Sequence, residues 1–409
     1  MRVAWDLQAV TGPRPTGLGV SVAFLLRAFE EHCGDCELIG LRPNQQNRAL
    51  TGVPSRVWWE QLRLPLALRR EHRRAKLDLC YSPALGAPLF SPVPVVAHVH
   101  DLISLHYPQQ FRGVAGWYWK RLLPDSWRRC AALTVSNEAV AEDVSRLLWF
   151  ERERIHIVPY YPDPQLAALA GAREKGEGRR SAEVRKRGSG EAGKGEGRRE
   201  KGEERSGEGG ASGAEAPATF ITLATHEPRK NIELAIRGLG RLRRHGVKAT
   251  LLCIGGHTAH TGVLKALADS ERVADSVSFP GYLDREETEA RLAGCTALVF
   301  ASRYEGFGLP PLEAMSLGAA VVLSDIPCHR VVYTDPERWA DCGRTPADAP
   351  ELVGVDNVEA LAAEMARLAL DGEYRELKRQ AGLAYASTFT AAATAKALRA
   401  AFAAALNQR

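Results

Sequence analysis

Short, unbroken apolar runs alternate with longer amphipathic segments along most of the chain, and this alternation restricts the fold more than any other feature. In the first half the runs are 3–5, 38–41, 79–81, 95–99, 133–135 and 155–158. In the second half they are 220–223, 250–254, 277–279, 298–301 and 320–323. A strand with one face in water alternates apolar and polar side chains. Several of these runs are apolar at successive positions instead, as strands are when helices cover both faces of a parallel sheet. Strand–helix repetition of this kind predicts doubly wound α/β architecture, occurring twice. A chain of 409 residues is long for one ordinary core, and its hydrophobic fraction of 45% is enough for two.

The boundary between the halves is compositional. Residues 171–216 are mostly Gly, Glu, Arg, Lys and Ser, with Val184 as the one large apolar residue. Such a stretch buries too little surface to offset its ordering entropy and reads as a disordered, solvated linker. Its near balance of charge does not favour binding to a polyanion. The expected organisation is a first domain over 1–165, a charged linker over 166–217, a second domain over 218–385 and a closing helix over 386–409 that packs back on the first domain. The Ala- and Leu-rich stretch 358–406 accommodates two helices, separated near Ser387-Thr388-Phe389-Thr390.

A net charge of +5 is modest for this length and, with no recognition motif, argues against nucleic acid as a partner. Of the eight cysteines only Cys33 and Cys36 form a C-x-x-C pair, so no zinc site is completed and reduced thiols are expected. The N-terminus, Met1-Arg2-Val3-Ala4-Trp5-Asp6, reads as a strand rather than a leader. No apolar run reaches the roughly 18–20 residues needed to span a bilayer. A cytoplasmic location is expected. Two basic, aromatic-edged segments, Trp58-Trp59 with 69–76 and 117–121, suit either peripheral contact with the anionic inner face of a membrane or a solvated helix face over buried tryptophans.

The most specific motif is Ser302-Arg303-Tyr304-Glu305-Gly306-Phe307-Gly308-Leu309-Pro310-Pro311-Leu312-Glu313, directly after an apolar strand. Gly306 and Gly308 allow a tight turn and close backbone approach. A proline suits the first turn of a helix, where a missing N–H is harmless. The free amides of that helix then face the strand's C-terminal edge, a usual place for phosphate. Glu305 and Glu313 flank the turn, and an ionised carboxylate can accept two hydrogen bonds from the vicinal diol of a ribose or hexose. A second motif, Glu227-Pro228-Arg229-Lys230-Asn231, follows the strand at 220–223. By themselves these cations fit a solvated basic turn as well as a pyrophosphate clamp.

Weaker signals lie in the first half. Thr16-Gly17-Leu18-Gly19-Val20-Ser21 is a turn expected to open a helix over 22–30, and a lone Gly-x-Gly fits a plain tight turn equally well. His100 and Asp101 end the strand at 95–99, and Ser136 follows the strand at 133–135. No Asp-x-Asp occurs anywhere, so the pair that would hold Mg²⁺ or Mn²⁺ on a diphosphate is missing.

On these residues the chain resembles glycosyltransferase family 4, whose glutamate-x7-glutamate signature is matched by Glu305 and Glu313. The resemblance covers nearly the whole chain except the charged insert. It implies the GT-B fold, two Rossmann-like domains facing across a cleft. It also implies retaining, metal-independent transfer of a mannose-like or glucose-like hexose from a nucleotide diphosphate sugar to a glycan or lipid-linked acceptor, with no cofactor.

By the same resemblance Arg229 and Lys230 clamp the diphosphate, Glu313 binds the ribose and Glu305 lies against the transferred sugar. Gly306, Phe307, Gly308 and Leu309 belong to the donor site, and Gly17 and Gly19 face the donor phosphate across the cleft. His100 contacts the sugar, and Asp101 and Ser136 line the acceptor side. The chain departs from the family at Ala224-Thr225, where some members carry a further arginine, and at Val331, often a glutamate. The arginine–tyrosine continuation of the first glycine loop is also missing. A phosphorylase or sugar-nucleotide epimerase would share the architecture. The alternative of another class is a non-catalytic nucleotide-sugar or glycan-binding partner in a polysaccharide-assembly complex.

Overall fold

The computed structural model describes residues 1–10, 17–43, 52–174 and 217–407. Most of the charged stretch, 175–216, lies outside the described residues, as does Thr16. The first half forms a six-stranded sheet in the order β2-β1-β3-β4-β5-β6, with β1 Arg2–Asp6, β2 Glu37–Leu41, β3 Leu79–Ser82, β4 Val95–Val99, β5 Ala132–Val135 and β6 Ile155–Ile157. The second half forms another, in the order β12-β11-β10-β7-β8-β9. Its strands are β7 Ala218–Leu223, β8 Ala249–Ile254, β9 Val277–Gly281, β10 Ala297–Phe300, β11 Ala320–Ser324 and β12 Glu351–Val353. All recorded pairings are parallel. Every residue of β3, β4, β5, β10 and β11 is buried, which is why these strands read as continuous apolar runs.

The strand orders create the site. In the second sheet the chain moves outward from β7 through β8 to β9, then returns to the other side of β7 with β10 and continues outward. The connections after β7 and β10 therefore leave their strands in opposite directions and open a crevice at the carboxyl ends. The first sheet reverses in the same way between β1 and β3.

Three local features differ from the sequence expectation. β12 was not foreseen: it is only three residues long and is bounded by Pro350 and Gly354. The C-terminal stretch makes three helices, Val358–Leu370, Gly372–Ala386 and Ala391–Asn407. The extra break is set by Asp371, whose carboxylate accepts from the Tyr374 amide and caps the middle helix. Finally, the first helix runs Gly17–His32, so Gly17 and Gly19 form its first turn and not a loop before it.

One apolar cluster joins the two halves, running from Trp5, Phe29 and Tyr81 to Phe307, Leu312, Phe389 and Phe402. The last helix crosses back over the first sheet. Phe402 packs on Phe29 and Tyr81 with ring centroids 5.9 and 5.0 Å apart, and the Thr394 hydroxyl donates to the Pro159 carbonyl at 2.8 Å. The helix Pro164–Glu174 extends the chain past β6. Among the described residues no helix is long and apolar enough to cross a membrane.

Candidate active site

The reversal between β7 and β10 brings the two sequence motifs side by side. Pro228–Lys230 forms one 3-10 turn after β7, and Asn231 in the left-handed region redirects the chain into the helix Ile232–Arg244. The Asn231 amide donates to the carbonyls of Ala301 at 3.1 Å and Val355 at 2.8 Å, fixing this turn to the ends of its neighbours. The Arg303 amide donates to the Arg229 carbonyl at 2.8 Å, locking the two loops together. Lys230 Nζ then reaches Glu305 Oε1 at 2.6 Å, and Arg229 Nη1 stands 3.7 Å from the same oxygen. Arg229 Nε also donates to Glu227 at 3.0 Å. Burial alone would raise the Glu305 carboxyl, but the adjacent Lys230 and Arg229 outweigh it and hold the group below its ordinary range.

Beyond Glu305 the chain turns at Gly308, whose φ of +82° favours glycine, into the proline-started helix Leu309–Ser316. The opening of this helix brings its positive dipole end to the same crevice, and because Pro310 and Pro311 carry no N–H, the backbone donors there are those of Gly308 and Leu309.

The first half contributes the opposite wall. A cavity of about 480 Å³ is lined there by Ser21, Arg56, His100, Asp101, Trp119 and Tyr160, and on the second half by Lys230, Glu305, Gly306, Phe307, Gly308 and Leu309. His100 is held in one tautomer. Its Nε2 lies 2.7 Å from the Pro83 carbonyl, which can only accept, so Nε2 carries the proton and Nδ1 accepts from the Tyr160 hydroxyl. Tyr160 in turn accepts from His98 Nε2 at 2.8 Å, and His98 Nδ1 accepts from Thr134 at 3.0 Å. Burial keeps both rings neutral, pulling His100 down to about 4. Both His100 nitrogens are thus engaged within the first half. Asp101 accepts from the Ile103 amide at 3.0 Å, and burial raises its carboxyl.

The halves touch through the glycine turn. The Gly306 carbonyl accepts from Ser136 Oγ at 2.9 Å and Asn137 Nδ2 at 2.6 Å. A Cβ at Gly306 would stand 2.0 Å from the His100 carbonyl oxygen, so only glycine permits this approach. The Leu102 amide donates to the Tyr304 hydroxyl at 2.9 Å, and Phe307 sets its ring edge-on to Tyr160 at 5.1 Å. Ser136 is 1% exposed and engaged in this contact.

Lys230, Glu305, His100, Asp101, Gly306, Phe307, Gly308 and Leu309 therefore line one cavity, with Arg229 beside Glu305 and outside that lining. Glu313 does not line this cavity: it is half-buried farther along its helix, near Arg285, Glu289 and Asp163, where burial pushes its carboxyl up to about 7 against the opposing pull of Arg285. Leu18 and Ser21 line the cavity, whereas Gly17 and Gly19 shape the turn that carries them. Sequence reasoning did not single out Tyr160 or Arg56. Among the described residues there is no cluster of three or more His, Cys, Asp or Glu able to hold a metal ion. Of the basic, aromatic-edged segments, Trp59 and Tyr118 are buried and hydrogen-bond Asp6 and Glu60, while Leu62, Leu66 and Trp117 remain exposed.

Residues 15–165 match the family model described as Glycosyltransferase Family 4, and residues 211–385 match Glycosyl transferases group 1. The O-antigen chain mannosyltransferase B of Escherichia coli is 31% identical over 169 residues, 41% of this chain and 41% of that protein. The serotype-specific mannosyltransferase WbdA of Escherichia coli is 35% identical over 44% of this chain, which spans 21% of its length. The chain thus covers less than half of either relative. Among solved structures, HepE of Anabaena, in complex with UDP and glucose, superposes with a TM-score of 0.62 at 12% identity over 98% of both chains. WaaG, a glycosyltransferase involved in lipopolysaccharide biosynthesis, superposes with a TM-score of 0.60 at 16% identity, again over 98% of both. With these matches in both halves and this two-sheet architecture, the chain belongs to the group 1, family 4 glycosyltransferases of GT-B fold.

Proposed function

We propose that this chain transfers a hexose, with retention of anomeric configuration and without a metal, from a nucleotide diphosphate sugar to a glycan or lipid-linked acceptor. The observation that carries the reading is the convergence of Lys230 and Glu305, with Arg229 beside them, and the start of the Leu309–Ser316 helix at one cavity between the halves. The mannosyltransferase relatives and the UDP and glucose bound by HepE favour a nucleotide-hexose donor.

As the bond from the anomeric carbon to the diphosphate oxygen breaks, negative charge grows on the leaving group. Lys230, Arg229 and the amides of Gly308 and Leu309 receive it, and loss of one such preorganised contact costs about 2.7–4 kcal/mol of transition-state stabilisation. Glu305, kept ionised by those cations, accepts from sugar hydroxyls, and Glu313 accepts from the ribose farther along the crevice. The acceptor hydroxyl enters from the His100 and Asp101 side, attacks on the face the diphosphate leaves and gives its proton to the departing oxygen. The close contact at Gly306 excludes water that would hydrolyse the donor. The proposal includes peripheral contact with anionic lipid through exposed Leu62 and Leu66 and the arginines beside them.

The test is turnover of GDP-, UDP- and ADP-hexoses in EDTA, with and without oligosaccharide and polyprenyl-diphosphate-linked acceptors, and cosedimentation with phosphatidylglycerol vesicles. Slow donor hydrolysis, EDTA-insensitive transfer and a product with the donor's anomeric configuration are expected. Nucleotide-sugar binding with neither hydrolysis nor transfer would establish the non-catalytic binding partner instead, and loss of transfer in EDTA would refute metal independence.

A further inference from the structure

Trp149 combines two costs with no return among the described residues. It ends the helix Glu138–Leu148 in the left-handed backbone region, at φ 55° and ψ 37°. Glycine is at ease there and a bulky aromatic residue is not. Its side chain is also 87% exposed. Among the four described non-glycine residues with positive φ, Lys76, Trp149, Asn231 and Arg272, it is the aromatic one. A tryptophan in this conformation, held out in water, contributes nothing to the core it leaves.

What it adjoins gives it a use. Trp149 lines a groove of about 990 Å³ between the two halves, with Tyr304 and Glu305 from the catalytic turn among its other lining residues. Glu305 lines both this groove and the cavity that receives the donor, so the groove continues from the reacting centre along the domain boundary. Polar groups with fixed geometry accompany the indole. Asp143 accepts from His106 at 2.6 Å and from Arg146 at 2.5 Å, and Arg303 is held by Asp356 at 2.7 Å.

A pyranose ring has an apolar face of C–H bonds and a rim of hydroxyls. The negative face of an exposed indole suits the first, and carboxylate acceptors with guanidinium donors suit the second. We infer that this groove holds the part of a neutral glycan acceptor remote from the bond being formed, with Trp149 as its stacking platform. The inference rests on the glycosyltransferase reading above and extends it to an extended oligosaccharide as acceptor.

The experiment compares wild type with Trp149→Gly and Trp149→Phe, using α-linked manno-, gluco- and galacto-oligosaccharides of increasing length as probes. Thermal unfolding, donor hydrolysis, acceptor KM, tryptophan fluorescence and light scattering are measured. Glycine removes the ring and relieves the backbone conformation, so Trp149→Gly should melt no lower than wild type and hydrolyse donor at the same rate. For the oligosaccharide series that binds, its KM should rise by about five- to tenfold for the longer members and little for the shortest, as expected for one lost aromatic contact. Trp149→Phe should keep most of the affinity, and binding should perturb wild-type fluorescence but not that of Trp149→Gly.

Several results would overturn the inference. These are a clear fall in melting temperature in Trp149→Gly, KM unchanged at every length, fluorescence unresponsive to every series, or a dimer that dissociates on loss of the ring. Donor hydrolysis absent from the wild type would instead remove the underlying catalytic reading, so the two failures are distinct.

Discussion

At the residue scale the site is an electrostatic arrangement around one carboxylate. Glu305 is buried enough that its charge needs compensation, and Lys230 at 2.6 Å supplies most of it, with Arg229 behind at 3.7 Å. Lys230→Ala should therefore destabilise the fold by about 3–5 kcal/mol in a denaturant titration, because it strands a buried charge. Adding Glu305→Gln should restore most of that stability while transfer stays lost, since the Lys230 ammonium no longer meets the diphosphate and a neutral amide accepts from the sugar more weakly than the carboxylate. A Lys230→Ala variant as stable as wild type would contradict the coupling. Arg229, Lys230 and Glu305 were legible in the sequence because each sits within a short local motif. The restraint on His100 was not. Its partners Pro83 and Tyr160 lie 17 and 60 positions away, and nothing local to the histidine announces them.

At the element scale, strand order makes two distant loops neighbours. Eleven of the strands could be read from apolar runs, but β12 opens on an exposed glutamate and leaves only Leu352 and Val353 as its apolar run. The helix beginning at Gly17 was misplaced because glycine reads as a loop when its tertiary surroundings are hidden. The glycine turn itself was legible, whereas the reason for Gly306 was not: its carbonyl meets Asn137, 169 positions earlier, across the domain boundary. Gly306→Ala places a methyl group where the His100 carbonyl oxygen already lies. The halves should then fail to close, so nucleotide binding to the second half persists while transfer falls by about a hundredfold or more, the usual consequence of roughly 1 Å of misplacement. Calorimetry paired with turnover assays checks this, and transfer at wild-type rate would show that the contact is dispensable.

At the scale of the whole molecule, the two sheets share one apolar cluster, and the last helix lies against the first sheet through Phe402. Two doubly wound units follow from patterning, and their facing cleft from the resemblance to glycosyltransferase family 4. Their closeness depends on contacts such as Tyr304 with Leu102 and Phe307 with Tyr160, which join residues far apart in the chain and leave no local trace. The same limit applies to the surroundings of Glu313, which flanks the turn as expected but stands near Arg285 and outside the lining of the cavity. The most direct measurement is a crystal structure of the protein with an intact nucleotide diphosphate hexose. A diphosphate is expected within hydrogen-bond reach of Lys230, Arg229 and the amides of Gly308 and Leu309, with the hexose between Glu305 and His100. A diphosphate bound elsewhere, or a hexose directed away from the first half, would contradict it.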